Sequence, residues 1–253
     1  MIQIQTLDVC GTLPALHGMR NPKNSWAKQD SYHDAGLETF TEVYIGPNDH
    51  DLAMRLAAGG PVHAKYRRMI TVYADITAPF YWWKEYDTYR FGVEKDSCST
   101  MHTIHMQEFS KKDFSVEHLI SHNHSESDNF SKIVPMDVID LTVKVLNECR
   151  MGYMFAQEQG DTARMKMFWW QMVQLLPSSY NQKRTVMMSY EALANMCLWR
   201  KNHKLDEWRE FVEWAKDLPH SELFLKWGEK GDSGEVGTET ASKPCAPGKV
   251  CYV

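Results

Sequence analysis

Nothing in this 253-residue chain approaches the ~20 consecutive apolar residues of a membrane span, and its amino end has no basic-then-apolar leader, so a cytosolic protein is expected. Basic excess is missing as well: 28 Lys and Arg stand against 33 Asp and Glu, a formal charge of −5 with a pI near 6.1. That balance gives no global field for a nucleic-acid polymer or an anionic membrane, so phosphate recognition has to be local and a single nucleotide is the better ligand class. The 6 cysteines, at 10, 98, 149, 197, 245 and 251, form neither a disulfide framework nor a zinc-ligand spacing. Cys149 and Cys197 fall in helical apolar patterns where a thiol is a small hydrophobe, while Cys245 and Cys251 flank Ala246-Pro247-Gly248 and are expected as free thiols in a reducing compartment. Walker, Gly-x-Gly-x-x-Gly and Gly-x-Ser-x-Gly motifs are absent, and no internal repeat recurs. His102 and His105, and His118, His122 and His124, have chelating intervals, but their flanks of Ser, Asn, Asp and Glu describe a solvated loop, and no metal centre is expected.

What is present is 43% hydrophobic residues, enough to bury a core. A single domain over residues 1–227 is expected, with a flexible tail over 228–253 where Gly, Ser, Glu, Thr, Lys and Pro take over. Strands are predicted near the amino end, at 40–46 and at 69–76, separated by a loop over 18–36 and a short helix with Leu52 and Leu56 on one face, closed by Gly59-Gly60. The segment from Phe80 carries Trp82, Tyr86 and Tyr89 at helical steps, which predicts an apolar helix face on the sheet. Residues 91–134 read as a polar region with broken helices. Beyond Pro135, Val138, Leu141, Val145, Cys149 and Tyr153 recur at helical steps, Gly160-Asp161 turns the chain, and Met165, Phe168, Met172 and Leu176 mark a second helix. Third and fourth helices are predicted over 186–201 and 205–217. The class is α/β.

One constellation is more specific. Leu176-Pro177, Ser189, Asn195 and Arg200 stand at set intervals, with an acid near the start of the next helix; upstream, His63, Ala78-Pro79 and Arg90 follow one another in a single ungapped register. Over roughly residues 50 to 215 this pattern resembles the flavin-dependent thymidylate synthases. Departures are explicit: the family's Arg-His-Arg falls on Thr88-Tyr89-Arg90, its Ser-x-Arg on Cys98-Ser99-Thr100, its first motif Asn on Ser189, its arginine before the Leu-Pro on Val173, and a substrate-contacting Gln on Glu85.

The resemblance implies a flavin-dependent thymidylate synthase-like fold, a mixed sheet packed by long helices, and a homotetramer with FAD held at subunit contacts. The implied reaction delivers a one-carbon unit from methylenetetrahydrofolate and reduced flavin to C5 of dUMP or a related pyrimidine nucleotide, with NADPH reducing the flavin and no enzyme nucleophile. On this reading His63, Arg90, Ser189, Asn195 and Arg200 face the cofactor. Arg200, Glu85, Ser97, Ser99 and Arg184 face the nucleotide, with Lys183 or Arg184 standing in for lost phosphate arginines. A carboxylate at 85 only accepts, so a 4-amino ring such as that of dCMP is favoured. The alternative is a non-catalytic or repurposed nucleotide-binding homologue that has lost the flavin.

Read without the resemblance, the same residues are plainer. Asn195 and Arg200 lie about 140° apart on an ideal helix, which suits a ligand clamped between subunits or an Arg200 that caps the helix end beside an exposed Asn195. His63, after a Gly-Gly-Pro turn, reads as a loop histidine, and Cys98 as an inert thiol. Phe168-Trp169-Trp170 reads as core or subunit interface.

Overall fold

In the computed structural model residues 2–33, 43–122 and 133–225 are described. His124, the start of the 40–46 strand, and the tail with Cys245 and Cys251 lie outside them.

A four-stranded sheet orders the chain. Its strands are β1 (Gln3–Cys10), β4 (Thr71–Pro79), β6 (Asn181–Ser189) and β5 (Val93–Ser97), in the order β1-β4-β6-β5. Every pairing is antiparallel, so the sheet is not the mixed one expected. Two further short strands, β2 (Tyr32–His33) and β3 (Val43–Tyr44), pair as a separate ribbon.

In β4 the alternate residues Val72, Ala74, Ile76 and Ala78 are fully buried, and Val186 and Met188 of β6 join them. Period-2 burial of this kind needs a helical layer on one face. It is supplied by α3 (Phe80–Tyr86), α7 (Tyr190–Arg200), α8 (Asp206–Lys216) and α9 (Glu222–Leu225), which contribute Trp82, Trp83, Tyr86, Leu193, Met196, Trp208, Phe211 and Phe224 to the same core. Trp82 packs on Trp208 with ring centroids 4.8 Å apart, and the Tyr81 hydroxyl donates to the Glu207 carboxylate, so α3 and α8 are tied twice.

The helix predicted over 186–201 is corrected at its start. Residues 181–189 are strand, and the helix begins at Tyr190. Val186 and Met188 point inward at period 2, and the Ser189 hydroxyl then accepts the Ala192 N–H at 3.2 Å, which stops the strand and caps the helix. Near the amino end, α1 (Thr12–Gly18) occupies a stretch with no predicted helix; its Ala15 and Leu16 are fully buried. Helix α2 (Pro47–Ala58) follows the expected Leu52/Leu56 pattern. Asp30 accepts the Asn48 and Asp49 N–H groups at its start, and the buried Asp49 holds Arg20 at 2.6 Å.

Within 91–134, α4 (Thr100–Thr103) is the only α-helix among the described residues. Helices α5 (Pro135–Glu158) and α6 (Thr162–Leu175) form the expected hairpin: Gly160 turns at φ +68° and the Asp161 side chain caps α6. The hairpin does not cover the main sheet core. Its Leu146 and Met172 instead close a second, smaller core with Ile104, Phe109 and Phe114.

Candidate functional site

Glu85 lies in the last turn of α3, and Arg200 ends α7. Burial of Trp82 and Tyr86 turns the intervening Glu85 toward the α7–α8 connection, where one carboxylate oxygen accepts two hydrogen bonds beside an imidazole. Glu85 Oε2 accepts from Arg200 Nη1 at 2.8 Å and from Trp208 Nε1 at 3.1 Å. His203 Nε2 lies 3.2 Å from the same oxygen, within ion-pair range. His203 Nδ1 accepts the Leu205 N–H at 3.2 Å, so the neutral ring carries its proton on Nε2. Arg200 Nε donates to the Tyr89 hydroxyl at 2.9 Å, and its guanidinium lies 4.7 Å from the Trp208 ring centroid and 5.5 Å from that of Tyr89. Glu85 Oε1 has no partner among the described residues. With side chains 36% and 18% exposed, Glu85 and Arg200 remain within reach of a ligand from solvent.

A second cationic group lies close by. Arg184 grips Asp87 with Nη1 at 3.0 and 3.3 Å, stacks 4.2 Å from the Trp83 ring and donates to Gln182 Oε1. Lys95 also meets Asp87. Lys183 is paired with Asp75 at 2.6 Å, so the two cations expected to replace lost phosphate arginines are both committed to carboxylates. Ser97 ends β5 opposite Arg184, and Ser99 accepts the His102 N–H at 3.3 Å as the cap of α4.

Of the residues expected at a cofactor, Ser189 is buried in its helix cap. A Cβ at Gly92, whose φ is +68°, would sit 2.4 Å from the Ser189 hydroxyl, so strand β6 and the turn before β5 are closely fitted there. Arg90 is exposed in that turn, and Asn195 is half-buried along α7. His63 forms one wall of a 300 Å³ cavity with Met19, Lys23, Leu52 and Arg55. Neither hydrogen bond nor ion pair joins His63, Arg90 or Asn195 to the Glu85–Arg200 pair in one chain. Arg67, on the turn after His63, is fully buried, whereas Arg68 is exposed. His118 and His122 each face a single carboxylate, of Asp206 at 3.0 Å and of Asp137 at 2.9 Å.

Three members of the cluster escaped the sequence reading: Tyr89, His203 and Trp208. Tyr89 was visible only as the residue standing where the resembled family has histidine. Trp208 was legible as part of an apolar stripe, and nothing local signalled that its indole N–H meets a carboxylate on another helix.

No known family profile matches the sequence, and no curated protein matches it. Solved structures do. A thymidylate synthase X from Helicobacter pylori with FAD and dUMP superimposes with a TM-score of 0.57 at 15% identity, covering 89% of this chain and 98% of that one. A flavin-dependent thymidylate synthase from Helicobacter pylori complexed with FAD and dUMP gives 0.58 at 16% identity, covering 88% and 98%. The chain has the flavin-dependent thymidylate synthase-like fold.

Proposed function

We propose that the chain binds a pyrimidine deoxynucleotide on this scaffold, with Glu85 and Arg200 at the base and a preference for a ring bearing an exocyclic amine. The observation that carries the reading is the division of labour on Glu85: Oε2 is satisfied by Arg200 and Trp208, with His203 3.2 Å away, while Oε1 is left to accept. An ionised carboxylate offers no donor to the O4 edge of uracil but can take a hydrogen bond from the 4-amino group of cytosine. A charge-assisted bond of ~1.5–3 kcal/mol sets the expected discrimination at about tenfold or more.

The flavin implied by the fold does not fit the donor set of one chain. Ser189 spends its hydroxyl on a helix cap, Tyr89 accepts from Arg200, and Arg200 gives Nε and Nη1 to protein partners. These commitments favour a repurposed nucleotide-binding protein over a flavin- and folate-dependent C5 methyltransferase. The methyltransferase, with FAD, methylenetetrahydrofolate and NADPH, is the second reading. What favours it is that His63, Arg90 and Asn195 make no hydrogen bond or ion pair to Glu85 or Arg200, so their polar atoms are not spent on that cluster.

Calorimetry with dCMP and dUMP, with and without FAD, tests the proposal. The wild type is expected to bind dCMP about tenfold tighter than dUMP, and Glu85→Gln to level or reverse the order. Tight dUMP binding by the wild type, unchanged or weakened in Glu85→Gln, sinks it. A yellow preparation with flavin absorption bands would return the chain to the methyltransferase reading.

A further inference from the structure

We infer that the cleft enclosed by α7, α8 and α9 is a binding site for a small amphipathic anion, an apolar body ending in a carboxylate or sulfonate. Its first wall runs along α7 and onto its C-cap: Cys197, Leu198 and the C-cap Lys201 follow Ala194 at the three- and four-residue steps that share a helix face. Val212 and Lys216 of α8, again four apart, form the facing wall, and Phe224 of α9 closes the floor. The enclosed volume is 480 Å³, within the ~300–1,000 Å³ of small-molecule sites.

The chemistry of the lining selects the ligand. Ala194 and Phe224 are fully buried and Val212 nearly so, which makes the base of the cleft apolar. Burial pushes the Cys197 thiol up to about 12, partly opposed by Lys216, so it stays protonated and serves as wall, with no nucleophile or metal ligand at that point. Charge enters only at the rim. Lys216 shares a 2.6 Å ion pair with Glu213 one turn earlier, while Lys201 has no partner among the described residues, leaving one positive charge in excess. An apolar floor under an uncompensated ammonium is complementary to a molecule with one anionic end. At the C-cap of α7, where the backbone is still helical, Lys201 lies about 100° around the axis from Arg200, so this cleft is separate from the Glu85 cluster and the inference does not rest on the nucleotide reading.

Two fluorescent probes of the same ring system test it on the full-length protein: 8-anilinonaphthalene-1-sulfonate and its neutral analogue N-phenyl-1-naphthylamine. The sulfonate is expected to saturate a single site about tenfold more tightly than the neutral compound, and decanoate to displace it. Lys201→Ala, which removes the one charge in excess, should bring the two probes to equal affinity, and Leu198→Glu should abolish both, each with an unchanged far-ultraviolet circular dichroism spectrum. Absence of saturable binding, as when the chain's own residues 226–253 fill the cleft, would overturn the inference. So would equal affinities in the wild type, or sulfonate binding undiminished in Lys201→Ala.

Discussion

At the level of single residues, the function of this site turns on how a carboxylate is held. Glu85 could swing freely at the end of a short helix; two donors on one oxygen prevent that, one from the end of α7 and one from α8. His203 stands 3.2 Å from the same oxygen, and its Nδ1 accepts the Leu205 N–H, which fixes the ring in one tautomer. His203→Ala is expected to cost about 1 kcal/mol in urea unfolding, the net worth of the Leu205 hydrogen bond. His203→Gln should recover most of that loss, since its amide oxygen can accept the same N–H. The ¹⁵N shifts of the wild-type ring should report Nε2–H; a mixture of tautomers would show that the Leu205 bond does not hold the ring. Glu85 and Arg200 could be singled out from sequence because they fall at motif intervals. Their partners could not, because a bond between α3 and the α7–α8 connection is a tertiary event with no local pattern.

At the level of elements, β6 was the feature hardest to see in the sequence and the one that matters most for placing the site. Val186, Tyr190 and Leu193 recur at helical steps across a segment whose first half is strand, so the helical period masked the alternation of Val186 and Met188. The strand decides where Lys183 and Arg184 go. On β6, Thr185 lies opposite Asp75 of β4 in register and donates to it at 2.6 Å, while Lys183 reaches the other oxygen of the same carboxylate. Lys183 first, then Thr185, hold the Asp75 carboxyl below its ordinary 3.8, and Asp75 in turn raises Lys183 above its ordinary 10.5. The signs follow from linkage. A depressed Asp75 contributes stability above pH 3.8 that is lost as pH falls through its lower folded value, and a raised Lys183 contributes stability below 10.5 that is lost as pH rises past it. Urea unfolding as a function of pH should therefore show Asp75→Asn less stable than wild type at neutral pH, with the gap closing as the solution becomes more acid than 3.8. A gap constant with pH would remove the cross-strand pair from the account.

At the level of the whole molecule, the α5–α6 hairpin buries some of its apolar side chains in the smaller core and leaves others exposed among the described residues. Leu146, Cys149 and Tyr153 line the smaller core, whereas Val138, Leu141 and Phe155 stay exposed, at 54%, 62% and 58%, with Leu141 and Phe155 turned about 80° or more away from Cys149 around α5. Exposed Met167 and Trp170 continue this character on α6. The helical period of the hairpin was plain in the sequence; which of its apolar residues would lack cover was not, because that depends on how the hairpin sits beside the segment 104–116. Exposed apolar side chains on both helices make the hairpin the place to look for association. Association would also bear on the site, since His63, Arg90 and Asn195 do not join Glu85 and Arg200 in one chain, and a neighbouring copy is the means by which they could share a ligand. Sedimentation at micromolar concentration is expected to show species larger than the monomer. Leu141→Glu/Phe155→Glu, which sets a charge on each end of the exposed face, should give smaller species without loss of helical content. If association completes the ligand site, the same variant should bind nucleotide more weakly although Glu85 and Arg200 are untouched. A wild type that sediments as a monomer would confine the site to the Glu85 cluster.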